Sequence, residues 1–292
     1  MGNTGAMANT AAPSISSARG GATADGALQR ALLALNGRRA HEAEAIAREI
    51  LGAVPDHGPA LRIYGYALLM QGRPQEVVAR LEGAVRGRHD PELETQLAIA
   101  LRQLGQQHDA LSHLKRATKR RPPFAAAFHE LGVLLVAMER YDEAIEVLRR
   151  GLDAAPMMPE LSITLGTVFL QRRDFAEAQR AFARALSIAP EFPDALYGIA
   201  MAYLQGADHR AAAEYFRRCL RMMPEDTSVR LKLGQCLLEL RERDAAYECF
   251  RAAARGDQKR YGIALAALVK SGRGRFWLKP SAAAQFLRGT GQ

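Results

Sequence analysis

A period of 34 residues runs through this chain and restricts its fold more than any single residue does. Prolines fall at Pro122, Pro156, Pro190 and Pro224, and the residues behind each repeat in kind at fixed offsets. Behind Pro190 stand Leu165, Gly166, Phe169, Ala178, Phe182 and Ala185. Behind Pro156 stand Leu131, Gly132, Leu135, Ala144, Leu148 and Gly151, with Phe128 upstream. Pro122 follows Leu97, Ala98, Leu101, Ala110, Leu114 and Ala117, and Pro224 follows Ile199, Ala200, Tyr203, Ala212, Phe216 and Cys219, with Leu196 upstream. Self-similarity at this spacing marks tandem copies of one supersecondary unit.

The unit can be read from its own spacing. Leu161, Leu165, Val168 and Phe169 fall mostly at steps of three and four, and after Arg172-Arg173-Asp174 so do Phe175, Ala178, Phe182 and Ala185. Two amphipathic helices joined by a short turn follow from that pattern. Gly166, Ala178 and Ala185 let helix axes approach, while Phe169 and Phe182 fill the space between them. Asp142, Asp174, Asp194 and Asp244 fall at or near helix starts, where a carboxylate meets free N–H groups and the positive end of the dipole.

This order of large, small, aromatic, Ala, aromatic, Ala and Pro resembles the tetratricopeptide repeat (TPR) family. The frame extends to 227–260, with Leu233, Gly234, Leu237, Ala246, Phe250 and Ala253, and back through a shorter copy at 58–90 with Leu61, Tyr64, Gly65, Leu68, Val77, Leu81 and Ala84. A first copy at 24–57 keeps Ala34, Ala43, Ile50 and Pro55. The resemblance implies an all-α fold, a right-handed superhelical solenoid of antiparallel helix pairs. Seven repeats would occupy 24–260, behind a disordered leader at 1–23 and before a capping helix and basic tail at 261–292. Divergence of the terminal copies suits outer faces that meet water.

Composition narrows the functional classes. No uncharged apolar run approaches the ~20 residues of a membrane span, and the Ala/Ser/Thr/Gly-rich start contains no apolar signal core. Cys219, Cys236 and Cys249 are odd in number and lack paired spacing, which fits small apolar helix residues in a reducing cytoplasm. Of the net +9 charge, residues 255–292 carry +7, from eight Lys/Arg against one Asp. The repeats are nearly neutral and the tail holds the basicity.

Catalytic motifs are broken or missing. His41-Glu42 and His129-Glu130 each begin a zinc-protease string, but Ala45 and Val133 replace the second histidine. His108 and His113, five apart on one helix, splay to different faces and read as solvated surface histidines instead of a metal pair. No phosphate loop or nucleophile elbow occurs. The chain reads as a non-enzyme that needs no cofactor or metal.

Function then falls to the groove that the resemblance places on the first helix of each repeat, at its second, fifth, sixth, ninth, twelfth and thirteenth positions. The residues so assigned are Arg62, Tyr66, Thr95, Ile99, Arg102, His129, Val133, Thr167, Tyr197, Met201 and Gln235, with Gln96, Ile163, Leu170, Gln205 and Leu231 among their neighbours. For Val133, Ile163 and Leu231, packing against the next repeat is an equal alternative. Such a mixture suits an extended peptide or a helix from a protein partner. Two TPR ligand classes lose support. The carboxylate clamp of chaperone-binding domains is absent, since repeats 3 to 5 offer Thr95, Ile99, Glu130, Glu160 and Thr164. The asparagine ladder of sugar-transferase domains is replaced by Gln29, Ile63, Gln96, Glu130, Thr164, Gly198 and Lys232.

In the tail, Tyr261 to Lys270 continues the helical pattern as a cap. Arg273 and Arg275 then flank Gly274, ahead of Phe276-Trp277-Leu278. Docking on the solenoid is the favoured use, with a partner protein, nucleic acid or lipid as alternatives. Lys115, Arg116, Lys119, Arg120 and Arg121 could extend a nucleic-acid surface. The chain reads as a cytoplasmic protein-binding scaffold. Its alternatives are a nucleic-acid-associated regulator and an accessory subunit of an envelope or polysaccharide assembly.

Overall fold

The computed structural model describes residues 15–87 and 89–254, with side chains from Asp25 onward, together with positions 262, 263, 266 and 287. Arg273, Arg275 and Trp277, and with them the capping tail, lie outside the described residues. Within these bounds the chain is all helix and turn, without strands. The helices pair as the 34-residue frame requires: α1 (Ile15–Asn36) with α2 (Ala40–Ala53), α3 (Gly58–Met70) with α4 (Pro74–Arg86), and α5 (Pro91–Gln103) with α6 (Gln107–Ala117). Next come α7 (Ala125–Ala137) with α8 (Tyr141–Ala154) and α9 (Pro159–Gln171) with α10 (Phe175–Ile188). Last are α11 (Pro193–Gln205) with α12 (His209–Met222) and α13 (Thr227–Glu239) with α14 (Arg243–Ala254). The chain divides into two bodies, Met1–Ala127 and Phe128–Gln292. Helix α1 begins at Ile15, inside the stretch read as a leader; once its Leu28–Leu35 turns are formed, each added residue costs far less than nucleation did.

The turn inside every repeat is the same object. Arg38, Gly72, Gly105, Glu139, Arg173, Ala207 and Arg241 all lie in the left-handed region, with φ of 56–78°. The next residue donates its N–H back across the turn, Arg73 to Leu68, Arg140 to Leu135, Asp174 to Phe169 and Asp208 to Tyr203, at 2.8–3.0 Å. This satisfies carbonyls that the helix end would leave open. Only two of the seven positions are glycine, so the turn is held by packing on both sides and not by local preference.

Helix starts divide two tasks that the sequence reading joined. Asp142, Asp194 and Asp244 lie in first turns and favour the dipole, and Asp174 precedes α10 without a side-chain cap bond. The bonds to free N–H groups come from His57, Asp90, Asp208 and Asp226. Proline occupies the first turn of α3, α4, α5, α9 and α11, where its missing N–H costs nothing.

Within each body, successive helices pack in order, and first helices also touch the next first helix, α1 on α3, α3 on α5 and α9 on α11. Small residues permit it. A Cβ on Gly132 would lie 2.5 Å from Leu148, on Gly166 2.8 Å from Phe182, and on Gly234 3.1 Å from Phe250. Arginines bind one repeat to the previous one, Arg80 donating to the Pro55 carbonyl at 2.8 Å and Arg218 to that of Pro190 at 2.9 Å.

Candidate peptide-binding face

Because first helices lie side by side, their shared outer strip is a surface built from a few fixed positions. In the second body it forms a cleft of about 500 Å³ between α9 and α11. Ile163, Thr167, Leu170 and Gln171 line one wall, and Asp194, Tyr197, Gly198, Met201 and Gln205 the other. The floor is the Phe182 ring of α10, which reaches the cleft because Gly166 and Gly198 leave no side chain in its way. Tyr197 is fixed from behind by an edge-on contact with Phe216, 6.0 Å between centroids and 62° between planes. The Thr167 hydroxyl donates to its own helix at Ile163, 3.0 Å away.

In the first body a second cleft, of about 490 Å³, opens between α1 and α3. Leu28, Leu32, Leu35, Tyr66 and Met70 make it apolar, and Arg62 and Glu92 stand at its edge. Arg62 is already engaged: its Nε lies 2.9 Å from Asp90 Oδ2 and its Nη1 3.3 Å from Glu92 Oε2. Burial pushes the Glu92 carboxyl up despite that guanidinium. Arg62 therefore ties α3 to the start of α5 before it meets any ligand.

The residues expected in the groove thus separate. Thr167, Tyr197 and Met201 come together in one cleft, and Arg62 and Tyr66 in the other. Ile99, Arg102, His129, Val133 and Gln235 are partly exposed on their first helices and line neither of these two clefts. Thr95 belongs to the core: it is 1% exposed and its hydroxyl donates to the Pro91 carbonyl at 2.6 Å. Gln96 and Leu231 are likewise buried. Gln171 and Asp194, the latter expected only as a helix-start residue, stand at the thirteenth and second positions of their helices, so the same positional rule reaches them. Phe182 was legible only as a core residue.

His113 corrects the expectation of a solvated histidine. Its Nδ1 lies 2.6 Å from Oε2 of Glu94, a carboxylate 1% exposed, which also accepts from Arg116 Nε and Nη2 at 3.1 and 2.8 Å. Arg116 is therefore not a spare cation of the basic cluster. Glu44 plays the corresponding part earlier, accepting from Gln71 and Arg73 at 2.8 Å and pairing with Arg48. Burial alone would raise either carboxyl, but the cations and donors around both hold them below the ordinary 4.5.

Burial disfavours the thiolate at all three cysteines. Burial pushes Cys219 up to about 11 and Cys236 up to about 12. Among the described residues no group of three or more His, Cys, Asp or Glu could hold a metal, and no helix is long and apolar enough to cross a membrane.

The tetratricopeptide-repeat family profile matches residues 28–86, 95–159 and 163–222, and a second profile of the same description matches 204–269. No curated protein matches the chain. Among solved structures, MamA residues 41–end from Desulfovibrio magneticus RS-1 is 25% identical with a TM-score of 0.50, over 57% of this chain and 94% of that one. Pseudomonas aeruginosa PilF is 16% identical with a TM-score of 0.61, over 74% of this chain and 97% of its own. Human IFIT1, solved as a dimer with m7Gppp-AAAA, is 16% identical with a TM-score of 0.66, over 91% of this chain and 68% of its own. At 16% identity the last two likenesses concern the fold alone.

Proposed function

Because the chain belongs to the tetratricopeptide-repeat family, a family of protein-interaction scaffolds, we propose that it holds a peptide or helix of a partner protein on the outer strip of its first helices and performs no chemistry of its own. The observation that carries this reading is the α9/α11 cleft, where open volume, an apolar floor and a polar rim coincide at family groove positions. A cleft of this size accepts one or two large side chains, and a rigid Tyr197 and an adaptable Met201 are the residue types that dominate such contacts. The α1/α3 cleft supplies a second foothold through Tyr66 and Met70. Three free cysteines without a disulfide support work in a reducing compartment, the cytoplasm. The nucleic-acid reading rests on tail residues outside the described part, and the envelope-subunit reading has no residue of this structure behind it.

The test is affinity purification with the full chain, comparing wild type with Tyr66→Ala/Tyr197→Ala. The account expects specific partners to be lost from the double variant while its melting temperature falls by only a few degrees. Retention of the same partners by the double variant would overturn it. So would loss that merely tracks unfolding.

A further inference from the structure

We infer that the α9/α11 cleft selects an extended segment in which a large apolar side chain is followed or preceded, within two or three residues, by a lysine or arginine. This rests on the reading of that face as the docking face and specifies its ligand.

Three groups on the cleft rim carry the inference. Gln171 and Gln205 are the last residues of α9 and α11, and Asp194 lies in the first turn of α11. All three line the cleft, and none of their side chains has a hydrogen bond or ion pair among the described residues. Of the described residues that line the cleft, Asp194 alone is charged. The cleft thus carries a negative charge at one end and no basic side chain in its lining, so a cation on the ligand is the complementary group.

The amides decide the conformation of the segment. A side-chain amide offers a carbonyl and an NH₂, the complement of one peptide group. A helical ligand has already spent its backbone groups internally, whereas an extended one presents them. Two amides at equivalent positions on neighbouring helices therefore favour an extended backbone. Between them and Asp194 lie Tyr197, Met201 and the Phe182 ring, an apolar floor for one large side chain. Asp194 and Gln205 are separated by about 16 Å along α11 at ~1.5 Å per residue, a span covered by about five extended residues at ~3.3 Å each. The apolar side chain takes the middle of that span and the cation its Asp194 end. A partner carrying an acidic residue there would meet like charge without compensation.

The test is selection of a phage-displayed random dodecapeptide library on the full chain, repeated on Asp194→Asn and on Met201→Glu. Wild type should enrich peptides pairing Leu, Ile, Met or Phe with Lys or Arg two or three positions away, and Met201→Glu should enrich none of them. Asp194→Asn should keep the apolar preference and lose the basic one. A synthetic peptide of the winning sequence should bind Asp194→Asn about 5- to 10-fold more weakly, with a flatter salt dependence. Circular dichroism melts of both variants check that each is folded. Were Asp194 only a partner of the helix dipole, selection would be the same on wild type and Asp194→Asn, and the inference would be overturned while the docking reading stood. If no enriched peptide depends on Met201, the docking reading itself fails.

Discussion

The Phe182 ring occupies the space that a side chain on Gly198 would need. A Cβ there would fall 2.3 Å from Cε1 of the ring, and one on Gly166 2.8 Å from the same ring. One phenylalanine thus fixes the closeness of α9, α10 and α11 and also forms the floor of the candidate cleft. Gly166→Leu should destabilise the protein by ~1 to 3 kcal/mol or more, since the ring is 1% exposed and already lies where even a Cβ at this position would fall. Arg180→Ala, on the exposed face of α10 and paired with Glu177, should change stability by less than ~0.5 kcal/mol. Urea melts of the two variants separate these outcomes; equal losses would mean that the inward and outward faces of α10 are misassigned.

The left-handed turn residues give a prediction of opposite sign. Glu139 holds φ at 58° without being glycine, a conformation that costs an L-residue roughly 1 to 2 kcal/mol. Glu139→Gly removes that cost and returns part of it through a more flexible unfolded chain. The net expectation is a gain of up to ~1 kcal/mol, read as a higher denaturation midpoint. A lower midpoint would show that the Glu139 side chain contributes more than its backbone costs.

Glu94 makes stability depend on pH. Burial raises its carboxyl, and the bonds from His113 and Arg116 lower it further than burial raises it, so in the folded chain it titrates below 4.5. A carboxyl depressed by folding stabilises fully above its unfolded value and loses that contribution as pH falls through its folded one. Near neutral pH, Glu94→Gln should therefore cost about 2 kcal/mol, the usual scale for hydrogen bonds to a charged group. The gap between variant and wild type should close as pH falls from the ordinary carboxyl value through the depressed folded one. Melting curves across that window check it, and a gap that widens on acidification would contradict the assignment.

The sequence made the repeat frame legible because the frame is written in residue volume. Gly132 against Leu148 and Gly166 against Phe182 are close approaches that demand a small residue at one fixed place and a large one at another. The turns were less legible, because Arg38, Glu139, Arg173, Ala207 and Arg241 carry no sign of a left-handed backbone; packing of both helices imposes it. Polar networks were the least legible part. Nothing in His113 announces that a carboxylate nineteen residues earlier lies buried beside it, and Thr95 occupies a groove position yet turns its hydroxyl to its own helix. A positional rule finds the face of a helix, but the neighbours of a side chain on that face depend on crossing geometry that spacing alone does not contain.

The most direct measurement of the central claim is site-specific photo-cross-linking in cells, with p-benzoylphenylalanine placed at Thr167 in the α9/α11 cleft or at Ala183, exposed on α10. The account predicts a discrete partner adduct from position 167, suppressed by Met201→Glu, and none from position 183. Adducts from position 183 alone, or the same adducts from both, would contradict a partner held on the strip of first helices.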